Sequence, residues 1–98
     1  MAAYAIVEVD VSDPQLFAEY ARGVPATIAA YGGKYLVRGG KTETKEGGWA
    51  PKRVVVLEFP SMDQARKWYD SAEYKPLLDM RLKAASAKFI LVEGLQPS

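Results

Sequence analysis

Two charged residues sit where chemistry would need them. Arg38 ends an apolar run just before Gly39 and Gly40, and Glu58 is the only charge in the run that follows Arg53 and ends at Phe59. A carboxylate in an apolar strand needs a cation or hydrogen-bond donors, because an unpaired buried charge is costly. If the two strands pair as a hairpin, and a bulge at Gly39-Gly40 absorbs the extra residues, Arg38 and Glu58 fall near each other. Such a pair could hold the enol or anionic oxygen of a ligand on the guanidinium while Glu58 orients it or carries a proton. It could equally be a structural ion pair that fixes strand register. Both readings stand at this stage.

The aromatic residues supply the rest of a candidate site. Tyr20 lies on the helical face marked by Phe17, Val24 and Ile28, so its phenol is a third catalytic candidate beside Arg38 and Glu58. Trp68, Tyr69, Tyr74 and Arg81 are candidates for ligand binding. Their large apolar faces and single polar tips suit a flat ligand as well as they suit a hydrophobic core. Arg81 follows Tyr74 by seven residues, two helical turns, so the pair shares one face and could take a carboxylate. Trp49 in a loop, Glu8 and Glu93 are weaker candidates, with no partner visible in the sequence.

The residue types that are absent narrow the chemistry. The 98 residues include no His and no Cys. That excludes a Ser-His or Cys-His nucleophile pair, a thiolate cluster, a zinc finger and a disulfide. There is no Asp-rich calcium loop, and neither Gly-Gly sequence at 32–33 or 47–48 has the spacing of a phosphate loop. No metal and no organic cofactor are therefore expected. Thirteen Lys and Arg balance twelve Asp and Glu, a net charge of +1 with no long run of either sign. Neither nucleic acid nor a membrane is an expected partner. No apolar stretch approaches the roughly 20 residues of a membrane span, and the Met-Ala-Ala-Tyr start lacks the basic residues of a signal peptide. The expected location is cytoplasmic.

The elements that must position these residues follow from periodicity. Residues 3–9 read as a β-branched strand. Ser12 or Asp13 can cap a helix with Pro14 at its first position. Leu16, Phe17, Tyr20, Ala21, Val24, Ile28 and Tyr31 mark that helix's buried face, interrupted at Pro25, where a kink or two abutting segments are expected. Gly32-Gly33 ends the helix. Residues 34–38 read as a second strand, with a bulge at Gly39-Gly40 and a continuation through 41–45. Residues 46–52 form a hairpin loop, and 53–59 a third strand. Ser61 with Gln64 makes a capping box for a helix through Ala65, Trp68 and Tyr69. A second helical piece follows the break at Ser71 and Pro76, then a strand over 88–92 and a polar tail from Glu93. One domain over 1–98 results, since two would each be too short to bury a core. Its order is ferredoxin-like α+β, βαββαβ, with a four-stranded antiparallel sheet and the helices on one face.

The strands carry one more signal. A sheet with one wet face should alternate apolar and polar residues, yet Val54-Val55-Val56-Leu57 and Phe89-Ile90-Leu91-Val92 are continuously apolar. Two-fold pairing of a second copy through the sheet face is the simplest cover for the second face; the alternatives are a different partner chain or short runs that tolerate exposed Val and Ile.

The stretches Gly-Gly-Lys-Tyr-Leu-Val-Arg-Gly-Gly at 32–40, Leu-Glu-Phe-Pro-Ser at 57–61, Trp-Tyr-Asp-Ser-Ala-Glu-Tyr at 68–74, Arg81, and Leu-Val-Glu-Gly at 91–94 together resemble an uncharacterised bacterial family. It is known only as a domain of unknown function, number thirteen-thirty, within the dimeric α/β-barrel superfamily. The resemblance implies two ferredoxin-like protomers whose sheets face each other as a barrel. It implies no activity, because superfamily relatives include cofactor-free monooxygenases, haem-degrading enzymes, lactone isomerases and regulatory binding domains. Two functions are carried forward. One is a small homodimeric enzyme, free of metal and cofactor, acting by proton transfer on or oxygenation of an enol or phenol. The other is a non-catalytic ligand-binding or stress-related dimer. Lack of His weighs against the first, since Glu, Tyr and Lys need larger pKa shifts to work near neutral pH.

Overall fold

The structure is a computed structural model that describes residues 1–95; the last three residues of the polar tail lie outside the described residues. Its elements run β1 (Ala3–Val11), α1 (Pro14–Ala30), β2 (Lys34–Arg38), β3 (Val54–Phe59), α2 (Met62–Tyr69), α3 (Lys75–Ala84) and β4 (Ala85–Glu93). The strands form one antiparallel sheet in the order β2-β3-β1-β4, the ferredoxin-like arrangement.

Local chemistry accounts for the helix boundaries. Asp13 caps α1 by accepting from the Leu16 amide at 3.2 Å, while Ser12 donates to the Ala84 carbonyl. A single helix runs through Pro25, so two abutting segments do not form. Gly32 leaves α1 at φ 77°, a left-handed turn that glycine makes without strain. Gly33 then packs so closely on Phe59 and Ile28 that a Cβ would lie 2.6–2.8 Å from their carbons. Ser61 accepts from the Gln64 amide, but Gln64 returns its side chain to the Tyr31 carbonyl, so the capping box is half made. The Ser71 hydroxyl ends α2 and starts α3. It donates to the Trp68 carbonyl and accepts from the Tyr74 amide.

Two strand boundaries depart from the sequence reading. β4 begins three residues early, directly after α3, because it pairs with β1 along its whole length from Val11–Ala85 to Ala3–Glu93. The bulge expected at Gly39-Gly40 lies instead inside β2, between Tyr35 and Val37, and residues 41–45 do not resume the strand. Gly39 (φ 73°) donates to the Val54 carbonyl in a last bond to β3 and turns away. The polar residues beyond it have no apolar side to bury.

The two sheet faces are now distinct. Ala3, Ala5, Val7, Val9, Leu57 and Phe59 lie under the helices in a core completed by Val24, Ile28, Trp68 and Tyr74. Ile6, Val56 and Ile90 oppose one another on the other face, with Val54, Val92 and Val37 around them. Ile90 is 57 % exposed and Val92 40 %. This face is open in the single chain.

Candidate functional site

Between α1, α3 and the sheet lies a narrow cavity of about 40 Å3, open on one side. Its floor is Val7, Val55 and Leu57, and Phe17 and Phe89 form walls. Three arginines line it, Arg38, Arg53 and Arg81, and no Asp or Glu does so among the described residues.

The inner end is built by α3. Because Ser71 fixes the helix start, Tyr74 is driven inward, fully buried, with its ring 4.3 Å from that of Trp68. Trp68 is satisfied by donating its indole N–H to Thr27 at 3.1 Å. Tyr20 reaches across from α1 and shares a hydrogen bond of 2.8 Å with the Tyr74 hydroxyl. Burial, reinforced by Tyr74, holds the Tyr20 phenol well above its ordinary value. Tyr20 therefore keeps its proton at neutral pH and serves as a hydrogen-bonding group, not a base.

Arg81, two turns along α3, is only 4 % exposed. Its guanidinium lies 5.5 Å over the Phe89 ring. Its Nε has no hydrogen-bond partner among the described residues. Burial pulls its pKa down, and the neighbouring phenols of Tyr74, Tyr20 and Tyr69 more than offset this, leaving it above the ordinary arginine value. It stays charged.

The outer end is built by β2 and β3. Arg38 stands 4.7 Å over the Tyr35 ring and donates from Nη2 to the Ala21 carbonyl at 3.2 Å. Arg53 stands 5.5 Å over the Phe17 ring, and its buried Nε is likewise without a partner among the described residues. The Tyr35 phenol is raised by burial, with Arg38 and Arg53 acting in the opposite direction. An apolar cavity with three guanidiniums and no carboxylate is suited to an anion with a flat apolar body.

The residues singled out in the sequence divide. Arg38, Tyr20, Trp68 and Arg81 line the cavity, and Tyr74 supports it from behind. Tyr69 packs against Trp68, Tyr74 and Phe89 beside it. Glu58 does not join them. The expected Arg38–Glu58 juxtaposition is wrong: Arg38 opposes Val55 on the helix side, whereas Glu58 opposes Lys34 and Tyr4 on the open face. Register and a bulge are the causes: Glu58 pairs with Lys34, four residues before Arg38, and the bulge sets the two on different faces. In a regular strand Arg38 would share a face with Lys34, but the extra residue reverses the alternation between them. Glu58 forms its salt bridge with Lys34 at 3.4 Å instead. Glu8 accepts from the Trp49 indole, which carries the loop between β2 and β3 back to β1. Glu93 is exposed at the end of β4.

Arg53 and Tyr35 are the site residues that the sequence reading missed. Counting back by twos from buried Phe59 through Leu57 and Val55 lands on Arg53, so strand parity alone could have found it.

Comparison with known proteins adds the following. Among curated proteins there is no match. A structure of a protein of unknown function, RPA0582 from Rhodopseudomonas palustris, is similar, with a TM-score of 0.74 at 17 % identity over 98 % of this chain and 84 % of that one. SnoaB, a cofactor-independent oxygenase from Streptomyces nogalater, is similar with a TM-score of 0.66 at 14 % identity, covering 98 % and 95 % of the two chains. A dimeric ferredoxin-like protein of unknown function from Bacteroides fragilis gives a TM-score of 0.55 at 13 % identity, covering 95 % and 96 %. At these identities the likeness is one of fold. The family model described as a domain of unknown function (DUF1330) matches residues 2–95, and the chain belongs to that family.

Proposed function

We propose that this protein is a homodimer, paired through the open face of its sheet, and that each protomer's cavity takes up the ionised form of a small phenol or enol. The observation that carries the second part is Arg81, a buried guanidinium with an unpartnered Nε in a cavity lined by no carboxylate among the described residues. A fixed cation at low dielectric favours the charged form of a bound acid, so a phenol or enol beside it ionises at lower pH than in water. Tyr20 and Tyr74 keep the surroundings polar at that point without introducing a competing negative charge.

An enolate or phenolate is the electron-rich form from which proton transfer or oxygen addition begins. The oxygenase SnoaB, which shares this fold, is compatible with such chemistry. Binding without turnover keeps the same ligand and the same residues. It is favoured by the lining itself, in which no side chain is a base in the ordinary range. The homodimer is supported by the apolar open face around Val56 and Ile90, and by the dimeric B. fragilis relative in fold.

The test uses 2-nitrophenol, whose ionised form absorbs visible light. Titrated with pH in the presence of excess protein, its ionisation midpoint is expected to fall. In Arg81→Met the fall is expected to disappear. A phenol that does not bind, or that binds with its midpoint unmoved, overturns the reading. Oxygen uptake and solvent-deuterium exchange with bound enols separate turnover from binding, and light scattering gives the assembly.

A further inference from the structure

We infer that the cavity has two anionic subsites and that its ligand is a hydroxyaromatic or enolic carboxylate, with the ionisable hydroxyl toward Arg81 and the carboxylate toward Arg38 and Arg53. The inference rests on the proposed function for the Arg81 end and adds a second end to it.

Two buried side-chain polar atoms lack a partner among the described residues, Arg53 Nε and Arg81 Nε. Buried donors are nearly always satisfied, so each such exception calls for a reason. Both line the same cavity, Arg81 from α3 and Arg53 from the residue that precedes β3. Arg81 is grouped with the hydroxyls of Tyr20 and Tyr74. Arg53 is grouped with Arg38 and Tyr35 at the β2–β3 edge. A ligand with two oxyanions can meet both groups.

The outer pair has the chemistry of a carboxylate clamp. Arg38 and Arg53 both act on the Tyr35 phenol, and no Asp or Glu lines the cavity among the described residues, so an anion beside Tyr35 meets two guanidiniums and no competing acid. Gly39 makes room for the second of them. A Cβ there would stand 2.7 Å from Arg53 Nη1, so any other residue next to Arg38 would push the second guanidinium aside. Two planar forks suit a planar carboxylate, and the exposed position of Arg38 leaves that strongly hydrated group in reach of water. The inner subsite holds one guanidinium amid hydroxyls and ring faces, which suits a single oxygen. Apart from the arginines and phenols the lining is apolar, with Val7, Val55 and Leu57 below and Phe17 and Phe89 beside, which suits an apolar ligand body.

The experiment compares a matched pair, 2-nitrophenol and 4-hydroxy-3-nitrobenzoate, which differ by one carboxylate. With the wild-type protein the benzoate is expected to bind about tenfold or more tightly than the phenol. In Arg38→Met/Arg53→Met that ratio is expected to fall to about one. Arg53→Lys, which keeps the charge but loses the fork, gives an intermediate ratio and covers a double variant that fails to fold. A ratio of about one in the wild type overturns the second subsite, as does a tenfold ratio that survives the double substitution. If 2-nitrophenol binds with a lowered midpoint but without a carboxylate advantage, the proposed function stands and this inference falls. If the benzoate binds through Arg38 and Arg53 with its hydroxyl midpoint unmoved, the carboxylate subsite stands and the phenolate reading falls.

Discussion

Pro25 and Arg38 meet at one backbone oxygen. A helix residue at position 25 would donate its N–H to the Ala21 carbonyl, but proline has none. Arg38 Nη2 from β2 donates to that carbonyl at 3.2 Å instead. The proline thus opens a docking point on α1 for a strand residue, and the guanidinium that uses it is held at the edge of the cavity.

Pro25→Ala is expected to stabilise the fold, by up to about 3 kcal/mol, because it restores a helix bond and removes a clash. It also gives the Ala21 carbonyl a second donor. Arg38→Met should therefore be less damaging in the Pro25→Ala background than in the wild type, with a coupling of about 0.5 kcal/mol or more. Urea denaturation of the four proteins measures it, and strict additivity would mean that the shared carbonyl is without energetic weight.

Arg38 and Glu58 are expected not to couple. They lie on opposite faces, and the Lys34–Glu58 bridge has a lysine side chain 67 % exposed. Glu58→Gln should cost less than about 1 kcal/mol. Combined with Arg38→Met it should be additive within about 0.5 kcal/mol. A larger interaction energy in denaturant melts would contradict the register described here.

Arg81→Met is expected to cost about 1 kcal/mol of stability, since the neighbouring phenols of Tyr74, Tyr20 and Tyr69 favour the guanidinium by more than burial costs it. A loss of several kcal/mol in thermal unfolding would show that the guanidinium holds the fold together.

Stability should decline in alkali. The Tyr20 phenol is raised by burial above its ordinary 10.0, so above that pH the unfolded chain binds fewer protons than the native one. The stability this contributes is complete below the unfolded value and is lost as pH rises beyond it. Tyr20→Phe should flatten the decline, leaving the part due to Tyr35, which burial also raises. At neutral pH the same variant should cost about 1 kcal/mol through the Tyr74 hydroxyl it leaves behind. Unfolding free energies across the alkaline range give both numbers, and an unchanged slope would discount Tyr20.

Neighbouring valines of β3 should respond differently to lysine. Val56 faces the open side and Val55 the cavity. Val56→Lys is expected to yield a folded monomer by light scattering. Val55→Lys should lose roughly 3 kcal/mol or more of stability by burying an unpaired charge beside Arg53. A dimer that survives Val56→Lys removes the open face as its interface.

Most of the fold is legible in the sequence because it follows from short-range signals. Pro14, Ser61 and Gly32 mark helix ends through chemistry that acts within a few residues. The apolar runs at Val54 and Phe89 give strands whatever their partners are. Which residues meet in the site is harder to read, since it depends on where a strand slips out of alternation. Arg38 and Glu58 are parted twice over, by a register that pairs Glu58 with Lys34 and by a bulge inside β2 that turns Arg38 to the other face. Tyr20, Tyr74 and Arg81 come together because helical spacing and a cap fix their directions, and those are sequence-local properties. Arg53 opens the run read as the third strand, 53–59, and its parity with Leu57 and Phe59 points it inward.

The bulge between Tyr35 and Val37 also makes β2 a strand of two phases. Lys34 and Tyr35 are read in one and Val37 and Arg38 in the other, so an arginine in an even-numbered position reaches the side its neighbour Lys34 avoids. Removing Leu36 would leave Arg38 facing inward, whereas straightening the strand at full length would turn it outward onto the apolar face. One residue of slack, wherever it lies along β2, thus decides which side of the sheet carries a positive charge, with no change in amino-acid composition.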